Sequence, residues 1–329
     1  MRHADSRELT PRGQRVHGPL IITYHYIREN AASGPPALSP TDFRRQLDLL
    51  LERYQIWPLS HIATMVAEGG FLPADVCALT FDDGLNEHYT VAYPELLQRG
   101  ISGTFFPSSG PLLDGVLLDV HQIQQVVAAA SVAQINERLR DLLERHAQKE
   151  LLSALRRAHA NSTETSRFDE PNLRFLKRAL QRDLPNGLRQ EVVHALYAEF
   201  VGVPERTMSA ELYATLPQLR QMVRGGMEIG GHGSSHPWMT ALTRAELERE
   251  FVESRRLLGE VYGSGAVPRN AVFCYPYGDH DLAVEREARR HGFAAGVSTE
   301  HGRVAAGARP FAIPRVDTTH VLEFISGEL

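Results

Sequence analysis

The chain has 329 residues, of which 43% are hydrophobic and 23% charged, and a formal net charge of -5. This composition supports a full buried core and excludes a disordered or collagen-like chain. Its basic residues are grouped at most as pairs such as Arg44-Arg45. Nucleic acid is therefore excluded as a partner, because phosphate contacts need clustered Lys and Arg.

The first residues, MRHADSRELTPRGQRVHGP, form a polar arm (1–18) without the apolar segment of about 7–15 residues that a secretory signal requires, and no run of about 18 apolar residues follows. A cytoplasmic protein without a membrane span is the expectation. The two cysteines, Cys77 and Cys274, lie in apolar strand-like segments, as buried free thiols rather than a secreted disulfide framework. Beyond the arm, PLIITYHYI (19–27) reads as a buried strand of β-branched and aromatic residues. A helix is predicted from about Pro40, with Phe43, Leu47, Leu50 and Leu51 at helical spacing behind a Ser-Pro start. A short helix at 60–68 stops at Gly69-Gly70; DVCALTF is a strand, 89–99 a helix and SGTFFP another strand.

Residues 108–225 then read as several helices, among them VHQIQQVVAAA, VAQINERLRDLLERHA, KELLSALRRAHA and RQEVVHALYAEF, with NSTETSRFDEPN as a polar connector. Their apolar residues recur every three or four positions, so they pack on each other or on a barrel. The segment is an insertion that acts either as a lid or only as a support. Alternation resumes with MEIGGHGSSHP as strand and loop, a helix at 243–262, AVFCYPYG as strand and loop, a helix at 281–291, and the strands FAAGVST and FAIPRVDT. Strands alternating with helices predict a parallel sheet or barrel with its functional groups at strand C-termini.

Two constellations follow predicted strands and so share one rim. In LTFDDGLNEH, Asp82 and Asp83 are adjacent at a strand end, where successive side chains point different ways and two carboxylates can take two tasks. A nearby cation would keep both ionised; the alternative is a turn in which one Asp caps the following helix. In GGHGSSHP, His232 and His236 are four residues apart, close enough to take two sites on one metal, although two solvated histidines would look the same. Two imidazoles and a carboxylate leave positions open for water and substrate, as in a catalytic site. Zinc is the default ion, with cobalt, nickel or iron also admitted.

TFDDG, EIGGHGSSHPWM and VFCYPYG, in that order, together with TYHYI, the F-x-x-Q-L helix at Phe43, GTFFP and IPRV, resemble the NodB-homology polysaccharide deacetylases of carbohydrate esterase family 4. The resemblance covers most of 19–329 apart from the insertion. It implies a deformed (β/α) barrel of the NodB type, of seven or so strands, and metal-dependent hydrolysis of an acyl group on a sugar. By position it implies Asp82 as general base, Asp83, His232 and His236 as metal ligands, and the Tyr277 backbone N–H as oxyanion donor.

Three departures stand out. Gly233 replaces the serine or threonine that usually follows the first motif histidine, with Ser234 or Ser235 as possible substitutes. Cys274 stands where an arginine usually orients the base, a form resembling the branch that acts on poly-N-acetylglucosamine. The fourth motif is not recognisable, and His320 is a weak counterpart of the histidine acid, with His25 at the end of the first strand as its rival. Asp317 or Glu300 is available to orient that histidine. Trp238 and Tyr277 are candidates for stacking on a sugar ring, Arg315 for a substrate carboxylate or phosphate or else a structural salt bridge, and Trp57 for the core.

The function expected is removal of an N-acetyl or N-formyl group from an amino sugar, most naturally a small intracellular glycan precursor or surface-polysaccharide intermediate. An amidohydrolase on a non-sugar amide and a catalytically silent carbohydrate-binding protein are the alternatives. A two-histidine, one-carboxylate iron oxygenase fits less well, because its carboxylate usually lies two residues from one histidine.

Overall fold

The computed structural model describes residues 18–29, 35–146, 149–160, 170–263, 265 and 267–321. The polar arm up to residue 17 and residues 161–169 of the polar connector lie outside the described residues. In chain order the first half runs β1 (Leu20–Tyr24), α1 (Pro40–Leu51), β2 (Gln55–Ile56), α2 (Leu59–Glu68), β3 (Val76–Asp83), α3 (Tyr93–Gln98) and β4 (Thr104–Pro107). Helices α4 (Ser109–Asp114), α5 (Asp119–Ala129), α6 (Val132–Arg145), α7 (Lys149–Ala160), α8 (Pro171–Arg178), α9 (Asn186–Phe200), α10 (Glu205–Leu212) and α11 (Leu216–Arg224) follow. The chain then adds β5 (Glu228–Ile229), α12 (Arg244–Tyr262), β6 (Val272–Cys274), α13 (Leu282–Arg290), β7 (Ala295–His301) and β8 (Ile313–Asp317). No helix among the described residues is long and apolar enough to cross a membrane.

The strands pair in parallel in the order β5-β4-β3-β1-β8-β7-β6, with β2 beside β3. A bridge between Gly231, just past β5, and Phe273 in β6 joins the two ends, which closes the sheet into the expected deformed barrel. Side-chain alternation divides the core. Leu20, Ile22, Leu79, Phe81, Phe105 and Phe273 face outward and are covered by residues of α1, α3, α11, α12 and α13. Ile21, Ala78, Phe106, Cys274, Val297 and Ile313 pack together with Leu59, Ile62 and Val66 of α2. Strands buried on both faces account for the nearly continuous apolar runs in the sequence.

Local chemistry sets the element boundaries. Ser39 caps α1, its hydroxyl accepting from Asp42 N at 3.0 Å ahead of Pro40, and Thr243 with Glu246 forms a reciprocal cap on α12. Strands β6 and β8 are shorter than the segments AVFCYPYG and FAIPRVDT suggested. In β6 pairing stops at Cys274, because Pro276 has no N–H to donate and the chain turns into a tight 276–278 bend. A wide π-helical turn, His88–Ala92, precedes α3 where an ordinary helix was expected.

Helices α5 to α10 build a core of their own, from Leu117 to Tyr213, which also takes in Tyr26 and Leu85 of the barrel rim. By contrast, α11 packs with the barrel through Leu219 and Met222. The helical segment is thus seated on the rim: Leu85 pairs with Tyr213, and Ala214 N donates to Gly84 O at 2.9 Å.

Candidate active site

Strand register places the polar residues. Tyr24 pairs with Phe81, so His25, one residue on, lies level with Asp82. Asp82 and Asp83 pair with Phe106 and Pro107 at the C-terminal end of β3. Among the described residues three non-glycines have positive φ, and all three are site candidates: Asp83 (75°), His236 (55°) and Tyr277 (57°). Side chains in that region are disfavoured and persist where the surroundings over-determine them, typically at functional sites. Gly84, with φ 69°, completes the turn after Asp83, where a Cβ would come within 2.6 Å of the Pro107 side chain.

Asp82 is 3% exposed. Its carboxylate accepts a two-pronged pair from Arg315, Nη1 to Oδ1 at 2.8 Å and Nη2 to Oδ2 at 2.7 Å. Thr23 Oγ1 (3.3 Å) and Cys274 Sγ (3.4 Å) also donate to Oδ2. Arg315 is itself 2% exposed and holds Ser298 O at 3.0 Å, Thr80 Oγ1 at 3.1 Å and Cys274 Sγ at 3.2 Å. Two expectations change accordingly. Arg315 is not turned toward a substrate anion, since its buried guanidinium is fully engaged with Asp82 and its neighbours. Nor does Asp82 lack an arginine: the group absent at Cys274 arrives from β8, and the small thiol leaves it room. Burial alone would raise the Asp82 carboxyl, but the Arg315 charge outweighs this and holds it well below the usual carboxylate range. Burial pushes the Cys274 thiol up, so it stays a neutral filler.

Asp83 Oδ1 lies 3.3 Å from His232 Nε2 and 3.4 Å from His236 Nε2. One ligand atom from each of the three residues lies within 4.8 Å of the others. Asp83 Oδ1 and His232 Nε2 are buried without a hydrogen-bond partner, while His232 Nδ1–H donates to Cys274 O at 2.8 Å, leaving the Nε2 lone pair directed into the cluster. Burial opposes ionisation of Asp83, yet the His121 and His232 imidazoles against it hold it well below the usual range. Burial pushes His236 down to about 3, so its ring is neutral and able to ligate. Such orphaned donors fit a divalent cation of the zinc, cobalt, nickel or iron type.

The loop carrying both histidines is held by Glu250 of α12. Its carboxylate accepts from Ser234 N, from Ser235 N at 3.1 Å and from Ser235 Oγ at 2.6 Å. Gly233 has φ 70° and no room for a side chain, since a Cβ would meet Glu250 Oε2 at 2.7 Å. The hydroxyl missing at 233 is thus replaced by Ser235 acting through Glu250.

His25 Nε2 lies 3.7 Å from Asp82 Oδ2, and its side chain is 43% exposed. The His320 ring packs edge-on against His301 at 5.0 Å. Asp317 Oδ1 is engaged by Thr319 N and Oγ1, and Glu300 N donates to Ser298 Oγ. Tyr277 sets its ring edge-on to His236 at 4.5 Å and stacks on Trp238 at 4.7 Å, with Arg182 over the Trp238 ring at 4.6 Å. The stacking expected of a sugar on Trp238 is therefore already made by protein groups. Trp57 stacks on His61 and packs against the inner core. A cavity of about 300 Å³ opens beside His236 and Tyr277, its far wall built by Asp119, Arg189, His194 and Glu205 of the helical segment.

Sequence reasoning missed His121 of α5, which is fully buried with Nε2 at 3.4 Å from Asp83 Oδ2. It also missed Glu250 and His88, the latter bonded through Nε2 to His25 O at 2.9 Å. The signal was present in each case: a polar side chain on an otherwise apolar helical face or turn requires a partner.

The C-terminal rim of the parallel barrel, where such folds carry their functional groups, thus holds a buried carboxylate beside a two-imidazole, one-carboxylate cluster. Comparison with known proteins shows what the chain is similar to. The profile of the polysaccharide deacetylase family matches residues 205–296, which include His232, His236, Cys274 and Tyr277 but not Asp82 or Asp83. A putative polysaccharide deacetylase of Bacillus subtilis (strain 168) is 24% identical over 104 residues, 32% of this chain; the match spans 36% of that relative's length. The Streptococcus pyogenes deacetylase PplD, solved in complex with acetate, superposes with a TM-score of 0.57 at 16% identity, over 92% of this chain and 93% of that one. IcaB from Ammonifex degensii gives 0.57 at 16% identity over 94% and 96%. A de-N-acetylase from Aggregatibacter actinomycetemcomitans gives 0.54 at 15% over 93% and 99%. The fold is that of the deacetylase (β/α) barrel, and the resemblance to polysaccharide deacetylases drawn from the motifs holds in profile, relative and fold alike.

Proposed function

We propose that the protein is a metal-dependent deacylase that removes an N-acetyl or N-formyl group from an amino sugar of a glycan or glycan precursor. The observation that carries this reading is the pairing of two differently committed carboxylates: Asp82 clamped by Arg315, and Asp83 turned onto the Nε2 atoms of His232 and His236, with its own Oδ1 and His232 Nε2 left without a hydrogen-bond partner. A divalent ion bound by Asp83, His232 and His236 would supply Lewis-acid polarisation of the acyl carbonyl and of water.

The chain's own groups perform the rest. Asp82, kept ionised by Arg315, accepts the proton of the attacking water at its carboxylate. The Tyr277 backbone N–H, in the bend after β6, is the donor to the developing oxyanion. His25, half-exposed and beside Asp82, delivers the proton that the leaving amine requires, a role its position suits better than that of His320. The cavity between this loop and the helical segment receives the sugar, its walls supplying both carboxylates and cations for hydroxyl recognition. The silent-binder reading rested on a missing arginine and an unrecognisable fourth motif, and Arg315 on Asp82 removes the first of these grounds.

The test is acid release from a panel of N-acetyl and N-formyl amino sugars, free and oligomeric, set against cyclic amides, with enzyme as isolated, stripped by chelator and reloaded. Release from an amino sugar that is lost on stripping and regained on reloading is expected. Turnover of the cyclic amides alone, or turnover indifferent to the chelator, would overturn the reading.

A further inference from the structure

The helical segment reaches into the metal cluster through one residue that the mechanism above does not use. His121, near the start of α5, is fully buried, and its ring meets Tyr26 edge-on at 6.2 Å and Tyr213 at 5.3 Å. Its two nitrogens have different surroundings. Nδ1 bonds Tyr213 Oη, and the same oxygen accepts the Leu118 N–H at 3.3 Å. Among the described residues the Tyr213 hydroxyl makes only these two bonds, so His121 Nδ1 is the acceptor for its own hydrogen. That fixes the neutral tautomer with hydrogen on Nε2. Nε2 is buried without a well-formed hydrogen bond and faces Asp83 Oδ2 at 3.4 Å. Asp83 thus presents one oxygen to His121 and the other, Oδ1, to His232 and His236. The backbone reinforces this, since Tyr213 pairs with Leu85 and Ala214 N bonds Gly84 O, within two residues of Asp83.

We infer that His121, held by Tyr213, is a positioning residue of the metal site: its Nε2–H holds Asp83 Oδ2 so that Oδ1 stays aimed between the two ligand imidazoles. The helical segment is then part of the site. Removing it, or loosening its seat on the rim, frees the Asp83 carboxylate to rotate away from His232 and His236. This inference rests on the metal-site reading of the preceding section, and its test separates the two.

The experiment measures Zn²⁺ and Co²⁺ affinity of the full chain by competition with a chromophoric chelator, together with the Co²⁺ absorption spectrum and the melting temperature without metal. His121→Leu is expected to weaken affinity by about 10–100-fold, the range for groups that orient a metal ligand. His121→Gln, whose amide N–H reaches about the same place, should recover most of that loss. Tyr213→Phe, which leaves the ring in place and removes the tautomer lock together with the bond to the Leu118 N–H, should fall between, and it carries the test if His121→Leu does not fold. Affinity within threefold of wild type in His121→Leu and Tyr213→Phe would overturn the inference, as would equal losses in His121→Leu and His121→Gln. A wild-type chain that takes up neither ion would overturn the metal reading itself, and this inference with it.

Discussion

Replacing Arg315 by methionine removes the guanidinium that clamps a carboxylate that is 3% exposed. Two effects follow, and the geometry sets their size. Breaking one side of a buried, doubly hydrogen-bonded pair strands the other charge and costs about 3–5 kcal/mol. For a chain of this length that is a fall in melting temperature of roughly 4–7 °C. The second effect is on titration. In the wild type the Asp82 carboxyl is held well below its usual value, so it stays ionised through the mildly acidic range and adds no acid limb to kcat/KM. Without Arg315, burial outweighs the weaker pull of His25 and His232 and the carboxyl rises above its ordinary ~3.9, so activity falls as pH drops toward that raised value. Arg315→Lys keeps the charge but not the fork, and should lie between. The double variant Asp82→Asn/Arg315→Met, with no stranded charge, should melt higher than Arg315→Met alone. The assays are thermal denaturation and kcat/KM for acid release between pH 4.5 and 9. An Arg315→Met protein that melts within 1 °C of wild type (about 1 °C being the resolution of such a comparison) and shows the wild-type pH profile would refute the reasoning.

Other consequences are as specific. His25→Gln should lower kcat on a poor leaving amine far more than on an activated ester, which needs no protonation to depart, whereas His320→Gln should change neither; a reversed pattern would move the acid to His320. His88 is pushed down to about 4 by burial. Its neutral form is therefore the one the fold prefers, and the stability it contributes above about pH 6.5 is lost as pH falls toward 4. His88→Gln keeps a donor for His25 O without titrating, so denaturant unfolding at pH 7 and 4.5 should show about 2–3 kcal/mol less acid loss than wild type. Glu250→Ala strands the Ser234 and Ser235 N–H groups. It should cost about 1–3 kcal/mol in stability and weaken metal uptake through the loosened His236 loop, as measured by melting with and without Zn²⁺.

The sequence made the strands in chain order and the two motif loops legible because each is local. Apolar runs bounded by Gly and Pro mark the strands, and Asp82-Asp83 and His232-x-x-x-His236 are each carried by one turn of chain. What holds those groups in place was not legible. Arg315 lies 233 residues from Asp82 and meets it only because β8 and β3 flank β1 with this register. His121 meets Asp83 only because the helical segment folds back on the rim. Both carried a sign that a sequence reader could weigh: a charge in the apolar strand IPRVD and an imidazole on the buried face of VHQIQQVV each demand a partner. Neither sign names that partner. Cys274 misled for the same reason, since its neighbour in space, not in sequence, supplies the arginine.

The central claim is the division of labour between the adjacent carboxylates, and metal content measured alongside turnover tests it most directly in wild type, Asp82→Asn and His236→Ala. The account predicts one ion per chain in wild type and in Asp82→Asn, with turnover abolished in the latter, and loss of both ion and turnover in His236→Ala. Equal metal loss in Asp82→Asn and His236→Ala, or turnover surviving in Asp82→Asn, would contradict it.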